Sequence, residues 1–326
     1  MEVKDLLEPW SLSGEIEAEP AEGGINNLTW FVRSAEGRFV LRLYQNTADA
    51  ERVRFEHAVL TGLAAGDLPF AVPAPVPTRE GESLAVGAGG RLAALFRWIP
   101  GRGAEPLNLA QARAAGEAQA HLHRAMARLG RISVGRQPGT YGDLDRVHPL
   151  TADPAEALRS IGEEPTRLEG LLRSIRPEAE RLYRGLDRQI IHADYARANV
   201  FCEGDRVTGV IDFEFACEDL RATDYAVALY PFALAHVETG LHWELLEAYA
   251  GGYASVQPLR AEEVEAIPTL LKLVRLVGLL HWTGRMRQGL YGLPELRERA
   301  QRALAFADWV EANQAELVGR LRAAGR

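Results

Sequence analysis

Four polar side chains in the middle of the chain stand at the ends of short apolar runs. His192, Asp194 and Asn199 lie between two such runs, and Asp212 ends a third. Polar residues at the ends of strands suit a functional site better than a core. Carboxylate and amide oxygens there are able to orient or accept a proton and to bind a hard divalent cation. This segment is therefore the strongest candidate for chemistry in the sequence.

Strands in the N-terminal third are the first elements available to position these residues. Apolar residues alternate over 27–33 and again over 38–44, and runs at 83–86 and 92–99 flank a glycine-rich turn. This pattern predicts paired antiparallel strands. Between them, residues 48–65 carry apolar side chains at steps of three and four, which predicts an amphipathic helix.

Beyond residues 100–106 the pattern becomes mainly helical. An Ala-rich helix is predicted over 109–129, short strands at 190–192, 199–202 and 207–213, and about four helices from 222 onward. Within that last region, Gly251-Gly252 is expected to break a helix.

Length and charge exclude several classes of protein. A chain of 326 residues with 47% hydrophobic and 25% charged residues is typical of a globular protein with two lobes. The net charge of −8 is spread without long runs of one sign, so we expect no nucleic acid partner. The acidic start is unlike a signal peptide and no apolar run is long enough to span a membrane. We expect a cytoplasmic protein without a membrane partner, as a monomer or a homodimer.

The basic residues and cysteines exclude further mechanisms. Of the 37 basic residues only Lys4 and Lys272 are lysines, and neither follows a glycine-rich loop, so a P-loop nucleotide site is excluded. The two cysteines, Cys202 and Cys217, have no spacing for zinc.

The central segment resembles the aminoglycoside phosphotransferase and choline kinase-like family, whose catalytic loop reads H-x-D-x-x-x-x-N before a distal I-D-[FW]. His192, Asp194, Asn199 and Asp212 match this pattern in type and spacing. The resemblance implies transfer of the γ-phosphate of ATP to a hydroxyl of a small molecule, with Asp194 as catalytic base. It also implies Mg²⁺ held by Asn199 and Asp212. If the resemblance is set aside, Asp194 and Asn199 are explained as residues that cap turns.

The resemblance also implies an α+β, bilobal protein-kinase-like fold. The expected nucleotide-binding lobe, with a small antiparallel sheet, spans 1–100, and the larger, mainly helical catalytic and acceptor-binding lobe spans 101–326. It further implies that His192 and Asp224 support the catalytic loop, although Asp224 also suits a helix N-terminus. The nucleotide-binding residues that it implies are Gly24, Asn26, Asn27, Arg42, Glu56, Arg97, Trp98 and Ile99. Trp98 alone is equally explained as a core residue.

Arg42 departs from the family pattern, which usually has a lysine paired with a glutamate on the next helix. Arg42 and Glu56 occupy those two places. A guanidinium is always charged and able to bind both a carboxylate and phosphate oxygens, so activity is still expected. The alternative is a surface ion pair worth about 0–1 kcal/mol.

Within the family, the segment from Asp194 to Cys217 is most similar to homoserine kinases of the second type. Arg197 is then a catalytic-loop cation, placed to touch the acceptor or the transferred phosphoryl group. Glu214, Trp282 and Arg285 are candidates to contact the acceptor, although Glu214 replaces a residue that is usually aromatic.

Other readings remain open. Acids at Glu214, Glu218 and Asp219 would suit a polycationic aminoglycoside. An amino alcohol such as choline would need an aromatic cage, for which Tyr225, Tyr230 and Trp282 are candidates. A catalytically silent nucleotide-binding protein is the alternative outside the enzymes.

Overall fold

The computed structural model describes residues 3–21, 27–45, 49–87, 90–103, 107–239 and 242–325. Contacts divide the chain into two compact units. The first unit comprises Met1–Ala104, Ala125–Pro138 and Ala198–Ala216, and the second comprises Glu105–Arg124, Gly139–Arg197 and Cys217–Arg326. The first unit therefore draws two segments from beyond the predicted boundary at 100–106.

The first unit contains a five-stranded antiparallel sheet. Its strands pair in the order β1-β2-β3-β5-β4. They are β1 (Glu17–Pro20), β2 (Asn27–Ser34), β3 (Gly37–Tyr44), β4 (Ala85–Val86) and β5 (Leu92–Arg97). The strand alternation puts Leu41 and Leu43 in a core cluster with Trp10 and the short helix α1 (Val3–Leu7). Arg42 and Tyr44 therefore lie on the opposite face of β3.

Helix α2 (Ala50–Ala64) is the helix predicted over 48–65. The Asp49 side chain caps its start by accepting hydrogen bonds from the amides of Glu51 and Arg52. Its buried face carries apolar residues such as Val59, but also the polar pair Glu56 and His57.

Two small antiparallel sheets follow. In the first unit, β6 (Arg102–Gly103), β8 (Val200–Glu203) and β9 (Arg206–Val210) form one of them. In the second unit, β7 (Arg188–Ile191) pairs with β10 (Cys217–Leu220), with Ile191 opposite Cys217. Strand β9 ends at Val210 and not at residue 213 as predicted, because Asp212 adopts a positive φ of 68° that is incompatible with a strand.

Helices make up most of the second unit. They are α3 (Leu109–Leu129), α4 (Pro154–Ser160), α5 (Pro165–Gly185), α6 (Arg221–Phe232), α7 (His242–Ala254), α8 (Ala261–Arg287) and α9 (Leu293–Ala324). The helix break predicted at Gly251-Gly252 is wrong, since both residues lie inside α7. A Cβ at Gly252 would collide with the carbonyl oxygen of Arg113, so the glycine serves close packing of α7 on α3. Of the helices described, none is long and apolar enough to cross a bilayer.

Candidate active site

The loop after β7 holds Asp194 between two buried aromatic rings. His192 is fully buried, and its Nδ1 atom accepts a hydrogen bond of 3.2 Å from the Asp194 amide. The ring of His192 packs edge-to-face on Tyr195, with centroids 5.9 Å apart. The Tyr195 hydroxyl in turn donates to the Ala115 carbonyl at 2.9 Å. His192 and Tyr195 therefore anchor the loop, while the Asp194 side chain stays partly exposed.

Asp224, in the first turn of α6, braces the same loop from the interior. Its carboxylate accepts hydrogen bonds from the amides of Ala193 at 2.7 Å and His192 at 3.3 Å. The Nε2 atom of His123 lies 2.8 Å from the same carboxylate. Burial by itself would raise the pKa of Asp224, but the hydrogen bond with His123 and the loop amide hold it below its ordinary value. Asp224 is therefore a buried, ionised brace.

Backbone strain is concentrated at the candidate site. Among the described residues, only Glu164, Ala193 and Asp212 are non-glycine residues with a positive φ, and the last two have values of 66° and 68°. Such a conformation is costly and persists where the surroundings impose it. At Ala193 the imposing contact is the hydrogen bond to Asp224. Near Asp212 it is the Ile211 amide, which donates to the Asn199 carbonyl at 2.9 Å.

In the first unit, Arg42 joins two acids. Its guanidinium lies 3.3 Å from the Glu56 carboxylate and 3.5 Å from that of Asp212. The side chains of Arg42 and Glu56 are 16% and 5% exposed, so the alternative of a surface ion pair is wrong. Burial raises the pKa of Glu56 to about 7, with Glu214 and Asp212 adding to the rise and Arg42 opposing it.

Glu214 and Asn27 extend this cluster. The Asn27 amide nitrogen donates to the Glu214 carboxylate at 3.2 Å. The amide oxygen of Asn27 is buried and has no hydrogen-bond partner in the structure. A buried acceptor without a donor fits a hydroxyl or a metal-bound water and does not fit a phosphate oxygen.

Comparison with known proteins decides the family. The model of the phosphotransferase enzyme family matches residues 17–262. The chain belongs to this phosphotransferase family. The expected resemblance to aminoglycoside phosphotransferases is thereby confirmed, as is the expectation of a small-molecule kinase.

Several relatives of the chain are named homoserine kinase. The chain is 30% identical over 274 residues to a homoserine kinase of Phenylobacterium zucineum, which covers 82% of this chain and 80% of the relative. It is 32% identical over 256 residues to a homoserine kinase of Brucella anthropi, covering 76% and 73%.

Solved structures agree on the fold. A microcompartment-associated aminopropanol kinase matches with a TM-score of 0.65 at 22% identity, covering 98% of each chain. The amicoumacin kinase hAmiN matches with a TM-score of 0.68 at 16% identity, covering 95% of this chain and 92% of its own. The expected α+β, protein-kinase-like fold is confirmed.

The oxygen atoms predicted to hold Mg²⁺ are of a kind that fits a magnesium ion shared with a nucleotide. Asn199 is buried and the Asp212 side chain is 31% exposed, so one amide and one accessible carboxylate are present. Within the described part of the chain, no group of three or more His, Cys, Asp or Glu side chains is placed to hold a metal by itself. Mg²⁺ is commonly bound by one or two such oxygens together with water and substrate phosphates.

Residues 97–99, Gly24 and Asn26 are the remaining predicted nucleotide contacts. The amide of Arg97 donates to the Ala74 carbonyl and that of Trp98 to the Arg38 carbonyl, both at 3.2 Å. The Arg38 guanidinium lies 3.5 Å from the centre of the Trp98 ring, so Trp98 is a partly buried stacking residue and not a core residue. Ile99 is buried. Gly24 and Asn26 lie outside the described residues.

The predicted acceptor residues divide between the units. Glu214 belongs to the first unit, while Trp282 and Arg285 lie on α8 in the second. Arg197 is partly exposed in the turn that follows Asp194.

Two other candidates for acceptor binding belong to the interior. Asp219 is fully buried and accepts hydrogen bonds from the Tyr183 hydroxyl at 2.6 Å and the Tyr141 amide at 2.7 Å. Tyr225 is 2% exposed and packs on Tyr253. Neither side chain is placed to meet a substrate.

Sequence reasoning missed His123 and Tyr141. The Tyr141 hydroxyl donates to the Ala193 carbonyl at 2.6 Å, directly before Asp194. His123 lies between Asp224 and the Tyr253 hydroxyl, 2.7 Å from the latter. The only signal for His123 was a polar residue on the apolar side of an Ala-rich helix, and nothing in the spacing pointed to Tyr141.

Proposed function

We propose that the protein transfers the γ-phosphate of ATP, with Mg²⁺, to a hydroxyl of a small metabolite, with L-homoserine as the first acceptor to test. The observation that carries this proposal is the strained loop that Asp224 braces, because it presents a partly exposed carboxylate, Asp194, from an otherwise buried segment. Relatives named homoserine kinase support the choice of acceptor.

In this mechanism each side chain has one task. Asp194 orients the acceptor hydroxyl and takes its proton as the oxygen attacks the γ-phosphorus. Asn199 and Asp212 would hold Mg²⁺, which supplies neutralisation of phosphate charge when it is bound. Arg42, fixed by Glu56, directs its remaining N–H groups to phosphate oxygens. Arg197 stabilises either the acceptor or the transferred group.

The proposal extends to the two lobes. Residues 1–100 would supply the nucleotide contacts, and residues 101–326 the catalytic and acceptor contacts. We also place the enzyme in the cytoplasm, where ATP and Mg²⁺ are available, as a monomer or a homodimer.

An ADP-release assay with ATP and Mg²⁺ tests the reaction against L-homoserine, choline, ethanolamine and kanamycin. Asp194→Asn should lower acceptor-dependent turnover by about 10²- to 10⁴-fold, while calorimetry finds Mg-ATP binding unchanged. Asp212→Asn is the matched variant and should instead weaken Mg-dependent ATP binding.

Two results would contradict the proposal. If Asp194→Asn and Asp212→Asn lose nucleotide binding equally, the separate roles are wrong. Binding of Mg-ATP without turnover of any acceptor would favour the catalytically silent alternative.

A further inference from the structure

The peptide group between Ala193 and Asp194 is held by a hydrogen bond at each of its two polar atoms. Its N–H group, which belongs to Asp194, donates to the Nδ1 atom of His192 at 3.2 Å. Its carbonyl oxygen, which belongs to Ala193, accepts a hydrogen bond of 2.6 Å from the Tyr141 hydroxyl. Because a peptide group is planar, fixing both polar atoms fixes the direction in which the backbone enters Asp194.

The bond from Tyr141 is the shorter of the two, and it comes from outside the loop. Tyr141 is 52 residues away from Ala193 along the chain, whereas His192 belongs to the loop itself. Burial raises the pKa of the Tyr141 hydroxyl, so the hydroxyl keeps its proton and is a donor at neutral pH. Tyr141 therefore ties the catalytic loop to a distant segment of the second unit.

Asp219 fixes the backbone of Tyr141. One oxygen of its carboxylate, Oδ2, accepts a hydrogen bond of 2.7 Å from the Tyr141 amide. The other oxygen, Oδ1, accepts hydrogen bonds from the Tyr183 hydroxyl at 2.6 Å and the Leu220 amide at 2.5 Å. Asp219 is fully buried on β10, opposite Gln189 of β7. The residue that fixes Tyr141 therefore belongs to the same small sheet as the strand that leads into the catalytic loop.

Close packing next to Tyr141 limits the movement of its backbone further. A Cβ built on Gly142 would lie 2.9–3.0 Å from three carbon atoms of the Tyr183 ring. Only a residue without a side chain fits there unless the ring moves. The Tyr141 hydroxyl therefore reaches Ala193 from a backbone segment that cannot shift without losing a hydrogen bond or causing a clash.

Ala193 is the residue of the loop at which such support is needed. Its φ of 66° is costly for a residue with a side chain and persists where the surroundings impose it. Asp224 holds its amide at 2.7 Å, and Tyr141 adds a second contact at its carbonyl. If the carbonyl were released, rotation of the peptide group would change the position of the next residue, Asp194.

We propose that Tyr141 is a positioning residue for Asp194, which acts through the Ala193 carbonyl, and that Asp219 fixes Tyr141 in turn. This inference rests on the proposed function, in which Asp194 takes the proton of the acceptor hydroxyl. The Tyr141 hydroxyl then determines the orientation of the catalytic base and has no part in the binding of Mg-ATP.

Tyr141→Phe removes the hydroxyl and keeps the ring. With an acceptor that the wild type phosphorylates, kcat should fall by about 10- to 100-fold, because a displacement of about 1 Å near a catalytic group costs up to about 100-fold. The KM for ATP and the calorimetric affinity for Mg-ATP should change by less than about threefold, since the lost interaction acts on the chemical step.

Tyr183→Phe is the matched control. It also removes one tyrosine hydroxyl that is bound in the second unit, but it leaves the Tyr141 amide on Oδ2 of Asp219 and the Leu220 amide on Oδ1. Both variants should shift the melting temperature slightly and to a similar extent, while Tyr183→Phe keeps kcat within about twofold of the wild type. Equal losses of kcat in the two variants, or no loss in Tyr141→Phe, overturn the inference while transfer itself stands.

Amide hydrogen exchange tests the same contact without turnover. The amides of Ala193 and Asp194 donate to Asp224 and His192, so a loosened loop should exchange both of them faster. We expect exchange at these two amides to be about 10-fold faster in Tyr141→Phe and unchanged in Tyr183→Phe. If the wild type phosphorylates no acceptor, faster exchange in Tyr141→Phe alone upholds the hold on the loop although the proposed function fails. Unchanged exchange at both amides in Tyr141→Phe refutes the inference.

Discussion

Asp224 in the second unit and Glu56 in the first are both buried carboxylates with a basic neighbour, yet their pKa values move in opposite directions. Asp224 accepts hydrogen bonds from two backbone amides and contacts His123, and its pKa is lowered despite burial. Glu56 shares the guanidinium of Arg42 with Asp212, and burial raises its pKa to about 7. The shorter hydrogen bonds to Asp224 therefore offset desolvation, whereas the longer contacts of Glu56 with Arg42 at 3.3 Å and with the Tyr44 hydroxyl at 3.5 Å do not.

This difference in pKa distinguishes Asp224, which anchors the catalytic loop, from the cluster around Arg42, which is able to respond to a ligand. The Asp224 carboxylate accepts hydrogen bonds from two amides of the catalytic loop and contacts His123 on α3. Around Arg42, three carboxylates, those of Glu56, Asp212 and Glu214, act on one guanidinium. An excess of negative charge fits a bound cation, so the cluster in the first unit is suited to the Mg²⁺ of the proposed reaction.

Removing the anchor should give the largest loss of stability. Asp224→Ala leaves the Ala193 and His192 amides and His123 without their acceptor in a fully buried place. We expect the free energy of unfolding to fall by about 3–5 kcal/mol, measured by urea denaturation at pH 7.

Glu56→Gln is the matched change in the other region. It removes a buried charge that burial already disfavours, so the loss should be below about 1.5 kcal/mol. If Glu56→Gln destabilises the protein as much as Asp224→Ala does, the expected difference between the two carboxylates is wrong.

The stability of the protein should depend on pH in different ways through Glu56 and Asp224. The folded pKa of Glu56 is about 7 against an ordinary value of 4.5, so its ionisation disfavours the folded state. The contribution of Glu56 to the free energy of unfolding is therefore most favourable below pH 4.5. It falls as the pH rises to about 7, by at most about 1.4 kcal/mol per pH unit. For Asp224, whose pKa is lowered from 3.8, stability is present above that pH and is lost only in stronger acid.

Denaturation curves of the wild type and Glu56→Gln between pH 4.5 and 7 measure this contribution. The difference between the two proteins should change across that interval, and the wild type should lose more stability than the variant. A constant difference would show that Glu56 is already ionised at low pH and that the two acids behave alike.

The short polar loop was the part of the site that the sequence made predictable. Asp194, Asn199 and Asp212 are close along the chain and sit between apolar runs that become buried strands. Local pattern is sufficient for Asn199 and Asp212, because β8 and β9 are neighbouring strands of one sheet and the Ile211 amide donates to the Asn199 carbonyl. The direction of Arg42 was not predictable, since β3 has apolar residues on both faces.

Contacts between distant segments were beyond local pattern. His123 and Asp224 are 101 residues apart along the chain, and no periodicity indicates that they meet. Gly252 shows the converse case, because the local tendency of glycine to end a helix is overcome by the packing of α7 against Arg113.

A further expected effect concerns the strain that Asp224 imposes on the loop. Ala193 is 5% exposed and has a φ of 66°, a region that β-branched residues strongly avoid. Ala193→Val should lower the free energy of unfolding by about 1–3 kcal/mol. Ala193→Gly relieves the strain but loses a buried methyl group and gains freedom in the unfolded chain, so its net change should stay within about 1 kcal/mol. Urea denaturation of the pair measures the difference, and equal effects of valine and glycine would mean that the positive φ is held at no energetic cost.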